Sequence, residues 1–266
     1  SIDLLTKTLQ PLEKKGTNSF AVLNTLSWKH SSLVTLSAEQ SKAGDRVTDE
    51  KGKTVPSQRL TTGELVFLAT DVPAFGSSLY HVSKGNASTS GKGKVSGNTL
   101  SNDLISVTID PVSGAIKSLK DLSGHEFADQ KSPYLLNGYR YLHGADSASK
   151  AVAPVDTRIA VKENGPLVKS LLVTSKAEGC NSLQSEIRLI RGQAWVEMTN
   201  ILDKISTQEK EGVHFGFAFN IPGGTTRMDI PMGVMIPEYD QLPGGNRNWL
   251  AAQRWIDISN NDFGVT

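Results

Sequence analysis

The spacing of apolar residues changes once along the chain. At the start Leu5, Leu9 and Leu12 recur at helical spacing behind Ser1 as a candidate cap, which predicts a short helix limited by Pro11. From Phe20 onward the period shortens. Phe20-Ala-Val-Leu-Asn24, Leu33-Val-Thr-Leu36, Leu65-Val-Phe-Leu68 and Ser78-Leu-Tyr-His-Val82 are short β-rich runs and predict the strands of a small β-sandwich. Residues 83–97 then hold small polar residues and glycines with nothing apolar larger than Val95, the composition of a linker or long loop.

Beyond that stretch the strand signals strengthen. Ile105, Val107 and Ile109 share a parity, Asp110-Pro-Val-Ser-Gly114 supplies a turn, and Ala115-Ile-Lys-Ser-Leu-Lys120 follows, which together predict a hairpin. Further runs fall near 157–163, 167–175, 183–191 and 194–202. Val213, Phe215, Phe217, Phe219 and Ile221 alternate strictly with His214, Gly216, Ala218 and Asn220, so one strand is expected over 213–221. Repeated short strands without long helices between them indicate an antiparallel, all-β protein rather than a parallel α/β sheet. The second part is larger than the roughly 100 residues of an immunoglobulin-like unit, so a larger sandwich is expected there.

Composition narrows the function classes. The 266 residues carry 28 Lys+Arg against 27 Asp+Glu, a formal charge of +1, which excludes a strong electrostatic attraction to nucleic acid. With 38% apolar and 21% charged residues the chain has the material for a buried core. The single cysteine, Cys180, excludes an intrachain disulfide and paired-thiolate metal sites. No apolar run reaches the length of about 18 residues that a membrane-spanning helix needs. The chain opens without methionine and stops within a strand-like run, so it is expected to be a piece of a larger protein.

Few residues form patterns that carry chemistry. The histidines at 30, 81, 125, 143 and 214 are scattered, none at a spacing that puts two ligands on one metal ion. Phosphate-binding loops and nucleophile elbows are absent. The densest polar and aromatic region is 237–255, where Asp240, Arg247 and Arg254 accompany Tyr239, Trp249 and Trp255. Sugars are held by aromatic faces and a few polar groups that fix hydroxyls, so this loop is a candidate carbohydrate surface; the competing reading is a crossover loop pinned by two tryptophans. Glu238 and Asp240 would share a face on a strand at about 5 Å or a little more, the carboxylate separation of a retaining glycosidase, but one unsupported pair favours a structural role. In Gly138-Tyr-Arg-Tyr141 the two tyrosines share a strand face and Arg140 lies opposite.

Five segments in order carry a family resemblance. They are Phe20-Ala-Val-Leu-Asn-Thr-Leu-Ser-Trp28; Leu68-Ala-Thr-Asp-Val-Pro-Ala-Phe-Gly76; the run from Asn98 to Leu119; Trp195-Val-Glu with Asn200; and Gln253-Arg-Trp-Ile-Asp-Ile-Ser259 with Gly264-Val265. Together they resemble the C-terminal β region of family 38 glycoside hydrolases, the zinc-dependent retaining α-mannosidases. The resemblance implies four parts: residues 1–15 as the tail of a helical bundle, 16–85 a small β-sandwich, 86–97 a linker or loop, and 98–266 a galactose-mutarotase-like supersandwich. It implies a separate catalytic domain that supplies zinc and the aspartate nucleophile. No cofactor is then expected in this chain, and hydrolysis would be absent from it alone. Its partners would be the catalytic and helical domains and a mannose-containing glycan, with no nucleic acid and no membrane span. A secreted or periplasmic setting is implied as well.

The family has a tyrosine in a Gly-Ala-Tyr-aromatic segment that reaches the active site, and Gly138-Tyr139-Arg-Tyr141 looks like its counterpart, with the register between Tyr139 and Tyr141 open. Here Tyr139 follows Gly138 directly where the family often has alanine. The expected substrate contacts are therefore Tyr139, Tyr141, Asp240, Arg247, Trp249 and Arg254. The alternative readings are an autonomous carbohydrate-binding β-sandwich module and a purely structural sandwich.

Overall fold

The structure is a computed structural model that describes residues 18–87, 93–144, 147 and 150–266. The helix expected at the N-terminus lies outside these residues. The described chain is all-β. Its first seven strands are β1 (Ser19–Leu23), β2 (His30–Leu36), β3 (Arg46–Asp49), β4 (Thr54–Val55), β5 (Ser57–Arg59), β6 (Leu65–Val72) and β7 (Ser77–Ser83). The next seven are β8 (Lys94–Ser96), β9 (Thr99–Ser101), β10 (Ile105–Ile109), β11 (Ile116–Asp121), β12 (Gly138–His143), β13 (Val155–Asn164) and β14 (Val168–Lys176). The remainder are β15 (Cys180–Ile190), β16 (Glu197–Lys204), β17 (Glu211–Gly216), β18 (Thr225–Ile230), β19 (Gly233–Met235), β20 (Ile256–Ser259) and β21 (Gly264–Val265). Among the described residues no helix is long and apolar enough to cross a membrane.

The small sandwich stacks the sheet β1-β7-β3-β4 on the sheet β2-β6-β5. Its core holds Leu36, Val47, Leu65, Phe67, Tyr80 and Val82. Leu65-Val-Phe-Leu68 is continuously apolar because β6 is covered on both faces. Leu65 and Phe67 point into this core, whereas Val66 and Leu68 join Leu60, Leu167 and Val168 in a cluster shared with the second sandwich.

A polar joint lies beside that cluster. The buried Gln58 accepts hydrogen bonds from the amides of Leu167 (3.0 Å) and Val168 (2.8 Å) and donates to the Val168 carbonyl (3.2 Å). The buried Glu163 accepts from the Thr61 amide at 2.7 Å and its hydroxyl at 2.5 Å. Gly165 has no side chain here because a Cβ would stand 2.0 Å from the Gln58 amide carbon.

The large sandwich has a broad sheet, β13-β14-β15-β16, as one layer. One face of it covers two smaller sheets in succession. Leu171, Val173, Ile187 and Leu189 pack against Leu100, Val107, Ile109 and Ile116 of the sheet β11-β10-β9-β8. Further along, Leu183 packs against Tyr139 and Tyr141 of the pair β12-β17. Between the two, Asn137 and Asn200 exchange side-chain hydrogen bonds at 3.0 and 2.7 Å, and the Ser185 hydroxyl donates to Asn200 at 2.6 Å. A fourth sheet, β19-β18-β20-β21, follows.

Two sequence expectations change. The predicted hairpin forms as β10 and β11, its turn closed by Asp110, which accepts from the Ser113 amide and hydroxyl at 2.8 Å. The single strand expected over 213–221, however, ends as β17 at Gly216. The chain leaves β12 there and bonds instead to the 127–129 segment, through Asn220 N–H to the Phe127 carbonyl and Asp129 N–H to the Ala218 carbonyl. Alternation persists across the change of partner because Phe219 still faces the core. The stretch read as a linker or loop over 86–97 also ends in a strand, since β8 pairs with β9.

Candidate functional site

The two tyrosines of β12 point inward. Tyr139 is 3% exposed and Tyr141 7% exposed. The Tyr139 ring meets Phe215 edge-on at 5.7 Å, and its hydroxyl donates to the Glu178 carbonyl at 2.5 Å. The Tyr141 hydroxyl donates to Glu211 at 2.6 Å, and Lys204 lies 2.5 Å from the other oxygen of that carboxylate. A Cβ on Gly179 would lie 2.2 Å from the Tyr141 ring, so the turn into β15 closes over that ring only with glycine. His143 reaches Glu178 at 2.9 Å across the rim.

Electrostatics follow from this arrangement. Burial pushes the Tyr139 hydroxyl well up, with Cys180 adding to it. Tyr141 is pushed up to about 12, first because its proton is held by Glu211 and then by burial. Glu211 is held below its ordinary value by Lys204 and then by the Tyr141 hydroxyl. Both phenols stay protonated at neutral pH, and both hydroxyls are engaged within the protein. Arg140, on the opposite parity, is the outward-facing side chain of Gly138–Tyr141 and lies 5.6 Å from the centre of the Tyr134 ring.

The 237–255 loop is exposed along most of its length. Tyr239 is 87% and Trp249 76% exposed, and Arg247 and Arg254 are also at the surface. Neither tryptophan-pinned packing nor a strand organises its start. Asp240 accepts from the Ile236 amide at 2.7 Å, and Glu238, at a φ of 70°, donates its amide to Gln241 at 2.7 Å. Glu238 and Asp240 thus occupy a turn, which removes the shared strand face expected of them. The loop's return is fixed by Asp229, whose carboxylate accepts from the amides of Arg254 (2.7 Å) and Trp255 (2.9 Å). Burial alone would raise the Asp229 pKa, but the amides of Arg254, Trp255 and Gln253 together hold it down. Asp229 was not apparent from the sequence, because the backbone groups it satisfies lie across an intervening hairpin and loop.

Beside this return lies a cleft of about 880 Å³ whose walls include Trp195, Phe217, Phe219, Trp255 and Ile256, with Arg254 at its edge. Trp195 is 47% exposed in it. The structure therefore separates the expected contacts. Tyr139 and Tyr141 share one buried cluster, Arg254 borders the cleft, and Asp240, Arg247 and Trp249 lie on the exposed loop. Among the described residues no group of three or more His, Cys, Asp or Glu side chains gathers in a way that could hold a metal ion.

The sequence from β9 onward has a counterpart in a known family. Residues 100–266 match the profile of the glycosyl hydrolases family 38 C-terminal domain. The chain belongs to this family. The family 38 match begins in β9 and takes in the rest of the large sandwich, including the tyrosine cluster, the cleft and the loop. None of the curated proteins compared with the chain matches it. The family 38 domain seen here is the non-catalytic β region of a glycoside hydrolase.

Proposed function

We propose that this chain serves a hydrolase of α-mannosides, packing against a catalytic domain that carries the nucleophile and zinc while its own surface contacts the mannose-containing glycan. The match of residues 100–266 to the family 38 C-terminal domain carries this reading. The zinc would act in the catalytic domain as a Lewis acid and template for substrate hydroxyls. The residues described in this chain offer no fitting ligand set, so no step is routed through the metal. What this chain contributes is a wall: apolar surface around Trp195, Phe217 and Ile256 for packing, and exposed polar side chains at Arg247 and Arg254 for hydroxyl groups.

A second reading, autonomous carbohydrate binding, is favoured by the exposure of Tyr239 and Trp249, whose rings are free to stack on a sugar. The test of the main reading is a panel of para-nitrophenyl glycosides given to the complete polypeptide that carries this chain. Preferential hydrolysis of the α-mannoside, lost on chelation and restored by zinc, is the expected result. Preference for an α-glucoside or α-galactoside would overturn the choice of substrate.

A further inference from the structure

The broad sheet ends on β13 at one side and on β16 at the other, and the two edges are built differently. Along β13 the register is broken by β-bulges between Val155 and Arg158 and between Val161 and Glu163, and Asp156 and Arg158 are exposed. Bulges and charges keep a sheet edge from pairing with another chain. The edge at β16 lacks this guard over most of its length. Its register with β15 runs unbroken from Asp203 opposite Ser182 to Glu197 opposite Arg188, without proline. Among the described residues no strand pairs with its second side. The charged residues stand at its two ends and are engaged within the chain: Glu197 with Arg188 at 3.3 Å, Asp203 with the Asn181 amide at 3.2 Å and Lys204 with Glu211 at 2.5 Å. Between them Met198 is exposed, and Ile201 is 62% exposed at the middle of the outer face.

A second copy of the same strand suits this edge. Two identical strands pair antiparallel about a two-fold axis perpendicular to the sheet, and opposed residues then point to the same face. The inner face is fixed, since Leu202 packs with Leu183 and Asn200 accepts from Ser185. The axis must therefore pass through a residue and not between two. Only axes at Asn200 and Ile201 leave a single residue of the strand unpaired. An axis at Asn200 sets Glu197 against Asp203 on both sides, and like charges directly opposed are unfavourable. An axis at Ile201 sets Ile201 against its own copy, the Thr199 hydroxyl against the Asp203 carboxylate and Met198 against Lys204, with no like charges opposed. We propose that β16 pairs with β16 of a second copy of the chain about an axis at Ile201, joining two four-stranded sheets into one continuous sheet. Edge pairing covers less than the roughly 1,200 Å² of a standard interface, so the dimer is weak, on the order of micromolar.

The test is sedimentation of the chain over a dilution series, with amide hydrogen exchange at both ends of the series. A reversible monomer–dimer equilibrium is expected, in which amides of Met198–Lys204 gain protection as dimer forms and those of β13 do not. Ile201→Lys, at an exposed position, sets two like charges on the axis and should weaken the dimer about tenfold or more. Val161→Lys, exposed on the bulged edge, should leave it unchanged. Circular dichroism confirms that both variants fold, and the exchange measurement on the unaltered chain does not depend on either. A monomer at every concentration, protection gained elsewhere than β16, or a dimer indifferent to Ile201→Lys would overturn the proposal. So would protection of the β16 amides in the complete polypeptide that does not vary with concentration, because another part of that polypeptide would then hold the edge.

Discussion

Tyr141 and Glu211 hold one proton between them, and that proton sets how the cluster responds to pH. The Tyr141 pKa is raised, so its contribution to stability is complete below the ordinary phenol value and disappears as pH rises through about 12. The Glu211 pKa is depressed, so its contribution is present above the ordinary glutamate value and disappears as pH falls through the depressed one. Ultraviolet titration should therefore show Tyr139 and Tyr141 ionising above the ordinary phenol value, and Glu211→Gln should flatten the acid limb of the stability profile. Ionisation of Tyr139 or Tyr141 at the ordinary phenol value would contradict this. The alternation in Gly138–Tyr141 showed in the sequence that the two tyrosines share a face. It did not show that this face is the inner one, because tyrosine suits a core and a sugar site equally, and the partners Glu211 and Lys204 come from later strands.

At the scale of elements, pairing partners decided what the pattern left open. The alternation over 213–221 was legible, but the change from β12 to the 127–129 segment depends on a separate stretch of chain that periodicity does not see. Likewise β6 was legible as a strand, whereas its continuous apolar run has its reason in the second sandwich lying on its outer face. The Asn137–Asn200 exchange ties the lead into β12 to β16, and it leaves no tolerance for removal of one partner. Asn200→Ala strands the buried Asn137 amide and the Ser185 hydroxyl, so a loss of about 2 kcal/mol is expected in urea unfolding. An unchanged midpoint would show that solvent replaces the lost bonds.

Across the whole molecule, the two sandwiches meet through Leu60, Val66, Leu167 and Val168, with Gln58 and Glu163 completing the polar part of the joint. Gln58→Ala leaves the amides of Leu167 and Val168 without their partner, at a cost of about 2 to 3 kcal/mol. Calorimetry should then resolve separate transitions for the two sandwiches, and a single shared transition in the variant would contradict this. Gly165→Ala should act in the same direction, because Gln58 is buried and hydrogen-bonded and has nowhere to move. The all-β class and the family were legible from ordered segments of sequence; the joint was not, since its polar residues are ordinary ones whose roles exist only across the interface.

The central claim is that this β region belongs to an α-mannoside hydrolase without carrying the chemistry itself. The most direct measurement is release of para-nitrophenol from its α-mannoside by this chain alone and by the complete polypeptide, side by side. The account predicts turnover by the complete polypeptide and none above background by this chain; turnover by this chain alone, or none by the complete polypeptide, would contradict it.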